Sequence, residues 1–558
     1  MRWLLFLPLA GLCACEVPSS AGPPPGVPPT PLPSWGDRLT LGQEVVCSES
    51  GDALPGYQDV TEAMGVDFEP VLPEWDEGDN GVTSIMLEGV GGFGVADLDG
   101  DGWLDLVFTS FADVPKVYRA TGPLRYEPVL PQDHGIDNAG VHTNAVTAVD
   151  VDGDGDLDLQ FGTVDGVRAY RNEGDFVFTD VTAASGMDVT AGNNVLGLAW
   201  ADVDVDGDPD PYVLGYGPGS PGPGLTFEND PDFLFENDDG TFIERTGAIL
   251  PPDASNGQSF GGGWFDGDGD GLMDLYVVND NGGFDGNPGN LYFRNLGGWV
   301  FENLDLGADV AMLAMGLALG DMDNDGDIDA HISNAGPTVL LRNEGEHLFT
   351  DVSLPLRDFS DGSAGDISWG TTFVDVDNDG VLELMTAFGH MPTKEGQGPN
   401  QTQNREAMPD QLWTQTPDGW RDVASDLGVA DPAWSRTVLA EDLDRDGFAE
   451  LITWSLNAGP RVHRSGCNGN AWLRVHLEDT RGANLAAIGA RIEAVGDGTP
   501  FVVMEVQAGG EGTLSGGAPE ARLGLAQADE VDLTVRWPDG ETETFERVPT
   551  RRSVTIRR

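Results

Sequence analysis

Positive charge is what this chain has least of: 28 lysines and arginines stand against 95 aspartates and glutamates, a formal net charge of −67. No basic cluster offsets that balance, so phosphate backbones would be repelled and nucleic-acid binding is excluded. Apolar runs are short, and none approaches the roughly 20 residues needed to cross a bilayer. Catalytic signatures are thin as well. The sequence holds no His-x-x-x-His pair, Ser333, Ser368 and Ser455 sit in no Gly-x-Ser-x-Gly elbow, and no glycine-rich phosphate loop precedes a helix. His142, His331 and His390 lie near repeated positions and read as packed or rim-exposed residues, and Trp200, Trp264 and Trp369 read as core. Acidic chains are often disordered, yet 39% hydrophobic residues and 14 tryptophans are enough to fold this one. At 558 residues it has room for more than one domain. Something must compensate the carboxylates.

Met1-Arg2 followed by an apolar run to Leu12 has the shape of a secretory signal, too short to span a membrane. Leu12-Cys13-Ala14-Cys15 resembles the bacterial lipobox, which makes 1–15 a lipoprotein-type signal peptide with Cys15 as the lipidated residue. Residues 16–40 are Pro-, Gly- and Ser-rich, the composition of an extended tether. The expectation is an exported bacterial protein, lipid-anchored at the outer membrane or cell surface, or else secreted.

The body is a repeat. Asp97-Leu98-Asp99-Gly100-Asp101-Gly102-Trp103-Leu104-Asp105 recurs with acids at offsets 0, 2, 4 and 8 and glycine at offset 5, and the later copies begin at Asp150, Asp202, Asp266, Asp321, Asp375 and Asp442. Short apolar stretches flank each copy, so each reads as strand, acidic loop, strand. A second phrase follows downstream, Tyr170-Arg171-Asn172-Glu173-Gly174 then Phe178-Thr179-Asp180-Val181, echoed from Leu341 to Val352, and it reads as a hairpin. Four strands per unit of this length suit propeller blades, so the fold class expected over 41–466 is an all-β, seven-bladed β-propeller. Tyr57-Gln58-Asp59-Val60-Thr61 matches the end of that phrase with no blade before it, while the seventh unit lacks the same half after Arg461-Val462-His463-Arg464. The N-terminus can therefore supply the missing strand and close the ring, removing exposed edges. That closure would bring Cys47 and Cys467 together as a disulfide in an exported compartment. From 467 to 558 alternating runs such as 489–495 and 531–537 describe a small, mostly β domain without an acidic loop.

Calcium takes six to eight oxygen ligands, and acids at offsets 0, 2 and 4 of a tight loop can converge on one point. Glycine at offset 5 permits the sharp turn that brings offset 8 back. Four carboxylates in nine residues repel one another without a counter-ion. The candidate ligands are Asp97, Asp99, Asp101 and Asp105; Asp150, Asp152, Asp154 and Asp158; Asp202, Asp204, Asp206 and Asp210; Asp266, Asp268, Asp270 and Asp274; Asp321, Asp323, Asp325 and Asp329; Asp375, Asp377, Asp379 and Glu383; and Asp442, Asp444, Asp446 and Glu450. About seven Ca²⁺ ions are the cofactors expected.

These loops resemble the FG-GAP or VCBS repeats of integrin-like calcium propellers. The stretch from Asn470 to Val475, with Ala471 before Trp472, then Gly489 to Arg491 and Trp537 to Gly540, resembles the ASPIC/UnbV domain, the arrangement of the cartilage acidic protein family. Thr414-Gln415 and Arg464-Ser465 depart from the family's Arg-Asn pair. The resemblance implies a calcium-stabilised extracellular or cell-surface module that binds or scaffolds an extracellular protein or glycan and is not an enzyme. The alternative is an enzyme acting on extracellular polysaccharide through insertions at 214–232, 279–290 or 388–409.

Overall fold

Each acidic loop joins two strands that are buried on both faces, which is what its small and apolar flanks require. The structure is a computed structural model that describes residues 35–558 except 48–53, 55, 71–90, 110–113, 139, 218–229, 250–257, 281, 283–287, 354–366, 390–407 and 511–513. The signal segment with Cys15, most of the tether, His390 and most of the three insertions lie outside the described residues.

The chain is mostly β, a series of small antiparallel sheets of four or five strands. The second is typical. Thr143–Val149 is followed by the loop, then Asp158–Thr163, Gly166–Asn172 and Phe178–Asp180, each strand beside the last. The first strand is buried along its whole length, whereas the last turns only Phe178 inward. The same order recurs in sheets beginning at Phe93, Val195, Ser259, Ala314 and Ser368. A further sheet runs Ser435–Glu441, Glu450–Ser455, Gly459–Ser465, and its fourth strand is Tyr57–Asp59 from the other end of the chain, with Tyr57 opposite Ser465. At the departure in the sixth unit, Gln411–Thr416 still pairs with Gly419–Asp422, and Gln415 donates to Met322 O as Asn343 donates to Gly267 O one unit earlier.

Neighbouring sheets are held by apolar clusters between their faces. Val149, Val167 and Phe178 flank the second sheet, and Trp200, Val213 and Phe235 continue into the third. Phe93, Leu106 and Tyr118 of the first sheet share a cluster with Ile452, Trp454 and Val462 of the last. Each such side chain contributes about 1.5–3 kcal/mol by leaving water, so the contact between the two ends of the series is built like those within it.

Residues 467–558 form two sheets on a separate core that includes Leu473, Ile492, Leu533 and Trp537. In one of them Trp472–Glu478 pairs parallel to Arg552–Arg557. The opposite edge of Arg552–Arg557 carries Leu39–Leu41, Leu39 opposite Ile556. This first strand spans the expected boundary at 40/41 and serves the C-terminal domain, whose core takes in Leu39 and packs against Leu41. Cys47 and Cys467 form a disulfide, Cα to Cα 5.9 Å. Among the described residues no helix is long and apolar enough to cross a membrane.

Candidate metal centres

The seven loops share one hydrogen-bond scheme. The offset-8 carboxylate straps the loop shut by accepting the N–H of offset 1, from Leu98 N to Asp105 at 2.8 Å to Leu443 N to Glu450 at 2.8 Å. The offset-4 carboxylate accepts the N–H of offset 6 in every copy, as Trp103 N does to Asp101 at 2.8 Å and Phe448 N to Asp446 at 3.0 Å. From the second loop to the seventh, the offset-0 carboxylate accepts the glycine N–H at offset 5. That glycine has φ between 84° and 101° in all seven copies, left-handed backbone that explains its identity. Offset 3 is left-handed too, which the acid pattern does not announce: Gly100, Gly153 and Gly269 sit there, but so do Val205, Asn324, Asn378 and Arg445.

The turns aim the remaining carboxylate oxygens at one another. Ligand atoms of Asp97, Asp99 and Asp101 lie within 4.8 Å, as do those of Asp150, Asp152 and Asp158, of Asp202, Asp204 and Asp206, and of Asp266, Asp268 and Asp270. Several of these acidic clusters could hold a divalent cation. Asp97 Oδ1, Asp152 Oδ1, Asp202 Oδ1, Asp204 Oδ1 and Asp442 Oδ1 are buried without a hydrogen-bond donor. A buried carboxylate oxygen left so is costly unless a cation satisfies it.

Burial, with the loop's own acids adding repulsion, pushes Asp105, Asp158 and Asp329 up to about 8, and Asp202 and Asp442 to about 7. A group that would hold a proton at neutral pH in the absence of a cation is a group at which a cation displaces one. Arginines from the third strand of a sheet supply part of the balance: Arg294 donates to Asp268 at 2.6 Å, and Arg464 to Asp444 at 2.7 Å and Asp446 at 3.1 Å.

The C-terminal domain rests on these loops. Asn484 N donates to Gly207 O at 2.6 Å, Arg536 to Gly269 O at 2.9 Å, Arg491 to Gly326 O, Asn468 to Asp377 O at 2.7 Å and Ala526 N to Asn378 O at 2.8 Å. Its residues 508–510 and 514–516 go further in. Ala508–Gly509 adds a fifth strand to the third sheet beside Trp200, Val95 N donates to Gly516 O at 3.0 Å, and Leu514 packs with Leu196, Tyr216, Phe260 and Trp369 from several sheets. None of this docking was visible in the sequence.

His331 is buried, its Nδ1 2.8 Å from Thr371 Oγ1. Trp200, Trp264 and Trp369 are buried with their indole N–H groups on Thr147, Ala199 O and Gly389 O.

The fold and loops define a class, a β-sheet repeat protein with an acidic loop in every unit and a β domain seated on those loops. More particularly, residues 97–161 and 321–386 match the FG-GAP-like repeat, and residues 480–558 match the ASPIC and UnbV family, so the chain carries both FG-GAP repeats and a C-terminal ASPIC/UnbV domain. No curated protein matches the chain. Similar solved structures include an Agrocybe aegerita lectin that recognises non-reducing terminal N-acetylglucosamine, 20% identical over 60% of this chain and 80% of that one, TM-score 0.39. Others are BBS1N in complex with ARL6DN, 9% identical over 66% and 90%, TM-score 0.40, and a Bacillus licheniformis rhamnogalacturonan lyase, 12% identical over 68% and 72%, TM-score 0.35.

Proposed function

We propose that the repeat units close into a seven-bladed, calcium-loaded β-propeller locked to the ASPIC/UnbV domain, and that the whole is an exported binding or scaffolding module. In this reading Cys15 carries the lipid, residues 16–34 hold the body off the membrane, and one Ca²⁺ sits in each loop. The partner is an extracellular protein or glycan. The pairing of Tyr57–Asp59 with Gly459–Ser465, and the cluster joining Phe93 to Trp454, support closure. The observation that carries the calcium reading is the shared scheme of seven loops, with buried carboxylate oxygens that no donor satisfies.

The chemistry of such loops is binding. In this reading their acids are committed to backbone N–H groups and to the cation, which supports binding over acid–base work by the loops. The deciding experiment is elemental analysis of the purified chain in millimolar calcium, followed by glycan and protein array screening with calcium and with chelator. About seven calcium ions per chain and a calcium-dependent ligand support the reading. A chain without bound calcium overturns it, and turnover of a polysaccharide by the calcium-loaded protein overturns the non-catalytic part.

A further inference from the structure

The fourth loop is faced by a group that does not belong to an oxygen-only site. His347 stands in the hairpin between Val339–Asn343 and Phe349–Asp351 of the next sheet, is 4% exposed, and reaches Asp268 and Asp274. The matching position of the second sheet, in Asn172-Glu173-Gly174-Asp175-Phe176, is Phe176, packed in an apolar cluster. The hairpin therefore folds without an imidazole, and its presence here asks for a separate reason.

The two ring nitrogens differ. Nδ1 is 2.7 Å from the Tyr292 hydroxyl, and that hydroxyl donates to Asp274 Oδ2 at 2.8 Å. Nδ1 is thus engaged by the phenol, and Nε2 is the nitrogen left to face the loop. That nitrogen lies 2.8 Å from Asp268 Oδ2 and has no hydrogen-bond partner. An unprotonated Nε2 facing a carboxylate at this distance is drawn to it only through a cation between them. Donor atoms of one tetrahedral metal ion, each about 2.1 Å from it, stand about 3.4 Å from one another, and atoms of Asp268, Asp274 and His347 lie within 4.8 Å.

The oxygen supply of this loop is also reduced. Arg536 of the C-terminal domain binds Asp266 Oδ2, the first acid, and Arg294 shares Asp268 Oδ2. Calcium wants six to eight oxygens, whereas imidazole with carboxylate suits zinc and its first-row neighbours.

We propose that in the fourth loop, in place of the Ca²⁺ assigned to it above, Asp268, Asp274 and His347 form a mixed nitrogen–oxygen site for one zinc-class transition-metal dication, so that calcium occupies the other six loops. The inference rests on the loops being cation sites.

The test uses the full-length protein in millimolar calcium, titrated with Co²⁺ as a coloured probe of zinc sites and followed by visible absorption and elemental analysis. One Co²⁺ per chain is expected, displaced by Zn²⁺, with calcium kept in the other loops. His347→Phe, which installs the residue of the second hairpin, should weaken Co²⁺ at least tenfold and leave calcium content unchanged. His347→Gln, similar in size and still polar, should do the same and guards against a packing defect. A wild-type chain that keeps calcium and takes up no Co²⁺, or takes it up as tightly in both variants, overturns the proposal and marks Nε2 as the proton-bearing partner of Asp268. A chain that holds neither ion overturns the reading of the loops themselves.

Discussion

Trp472 lies across Gly447 so closely that a Cβ at position 447 would fall 1.9 Å from ring atom Cε2. Gly447 is the offset-5 residue of the seventh loop, at φ 91°, and Trp472 opens a strand of the C-terminal domain. One position thus serves the turn of the loop and the seat of the domain. Gly447→Ala should cost about 2–5 kcal/mol, about 1–2 from left-handed backbone and about 1–3 from overpacking. Gly100→Ala is the control, since its φ is 68° but nothing lies within 4 Å of the added carbon, and it should show the backbone part alone, about 1–2 kcal/mol. Denaturant midpoints in calcium measure both; equal losses would remove the packing role assigned to Trp472.

Val205 holds φ 65° in the third loop, where β-branched residues are strained. Asn324 and Asn378 occupy the same offset of other loops at 60° and 58°. Val205→Asn should therefore stabilise the protein by about 1 kcal/mol, read as a rise in melting temperature. A fall would mean that contacts of the valine outweigh its strain.

The loops were legible because their signature is local: carboxylates at offsets 0, 2, 4 and 8 bond N–H groups a few residues away, and glycine is needed at offset 5 in every copy. Offset 3 was hidden because four of its seven occupants are not glycine. The strand Leu39–Leu41 was hidden because three residues carry no usable period and the partner, Arg552–Arg557, lies at the other end of the chain. The tie between Tyr57 and Ser465 could be read, by contrast, because both ends are pieces of one repeated phrase. His347 fell between the two cases. It repeats no motif and meets Asp268 only through the packing of two sheets.

Metal-free protein should grow less stable as the pH rises. Burial and the surrounding acids push Asp105, Asp158, Asp274 and Asp329 up to about 8 in the folded chain, against about 4 when unfolded. Between those values the folded state holds more protons, so stability falls with rising pH, and these groups favour folding most below about pH 4. A cation takes the place of the protons, so calcium should abolish the decline, and calcium affinity should weaken on acidification from about pH 8 to about pH 6. Melting curves from about pH 5 to about pH 8, with chelator and with millimolar calcium, provide the check. A chelated protein that gains stability across this range would show that the carboxyls are not held up by burial.

Removing the cations should loosen the C-terminal domain before it disturbs the sheets. The domain is held by carbonyls that only a folded loop presents, Gly207 O to Asn484 N and Asn378 O to Ala526 N among them, together with Arg522, which bonds Glu441 and Ala440 O on the strand Ser435–Glu441 of the last sheet. Each site at a hundredfold excess of free ion over its Kd adds about 2.7 kcal/mol to the folded state, and chelation withdraws that from the loops and from whatever rests on them. The apolar clusters between sheets take in a few loop residues, Leu98, Val151, Val203 and Leu443 among them, but consist mostly of strand side chains, which keep their burial. Hydrogen exchange with chelator should therefore accelerate first at the amides of Asn484 and Ala526, with those of Val146, Trp200 and Ile452 following later. The Cys47–Cys467 disulfide and the strand at Leu39–Leu41 continue to tether the freed domain, so the chain should expand in small-angle scattering without losing mass. Exchange that begins in the sheets while the domain contacts stay protected would mean that the cations brace the units themselves and that docking stands on Arg522 and the segment around Leu514 alone.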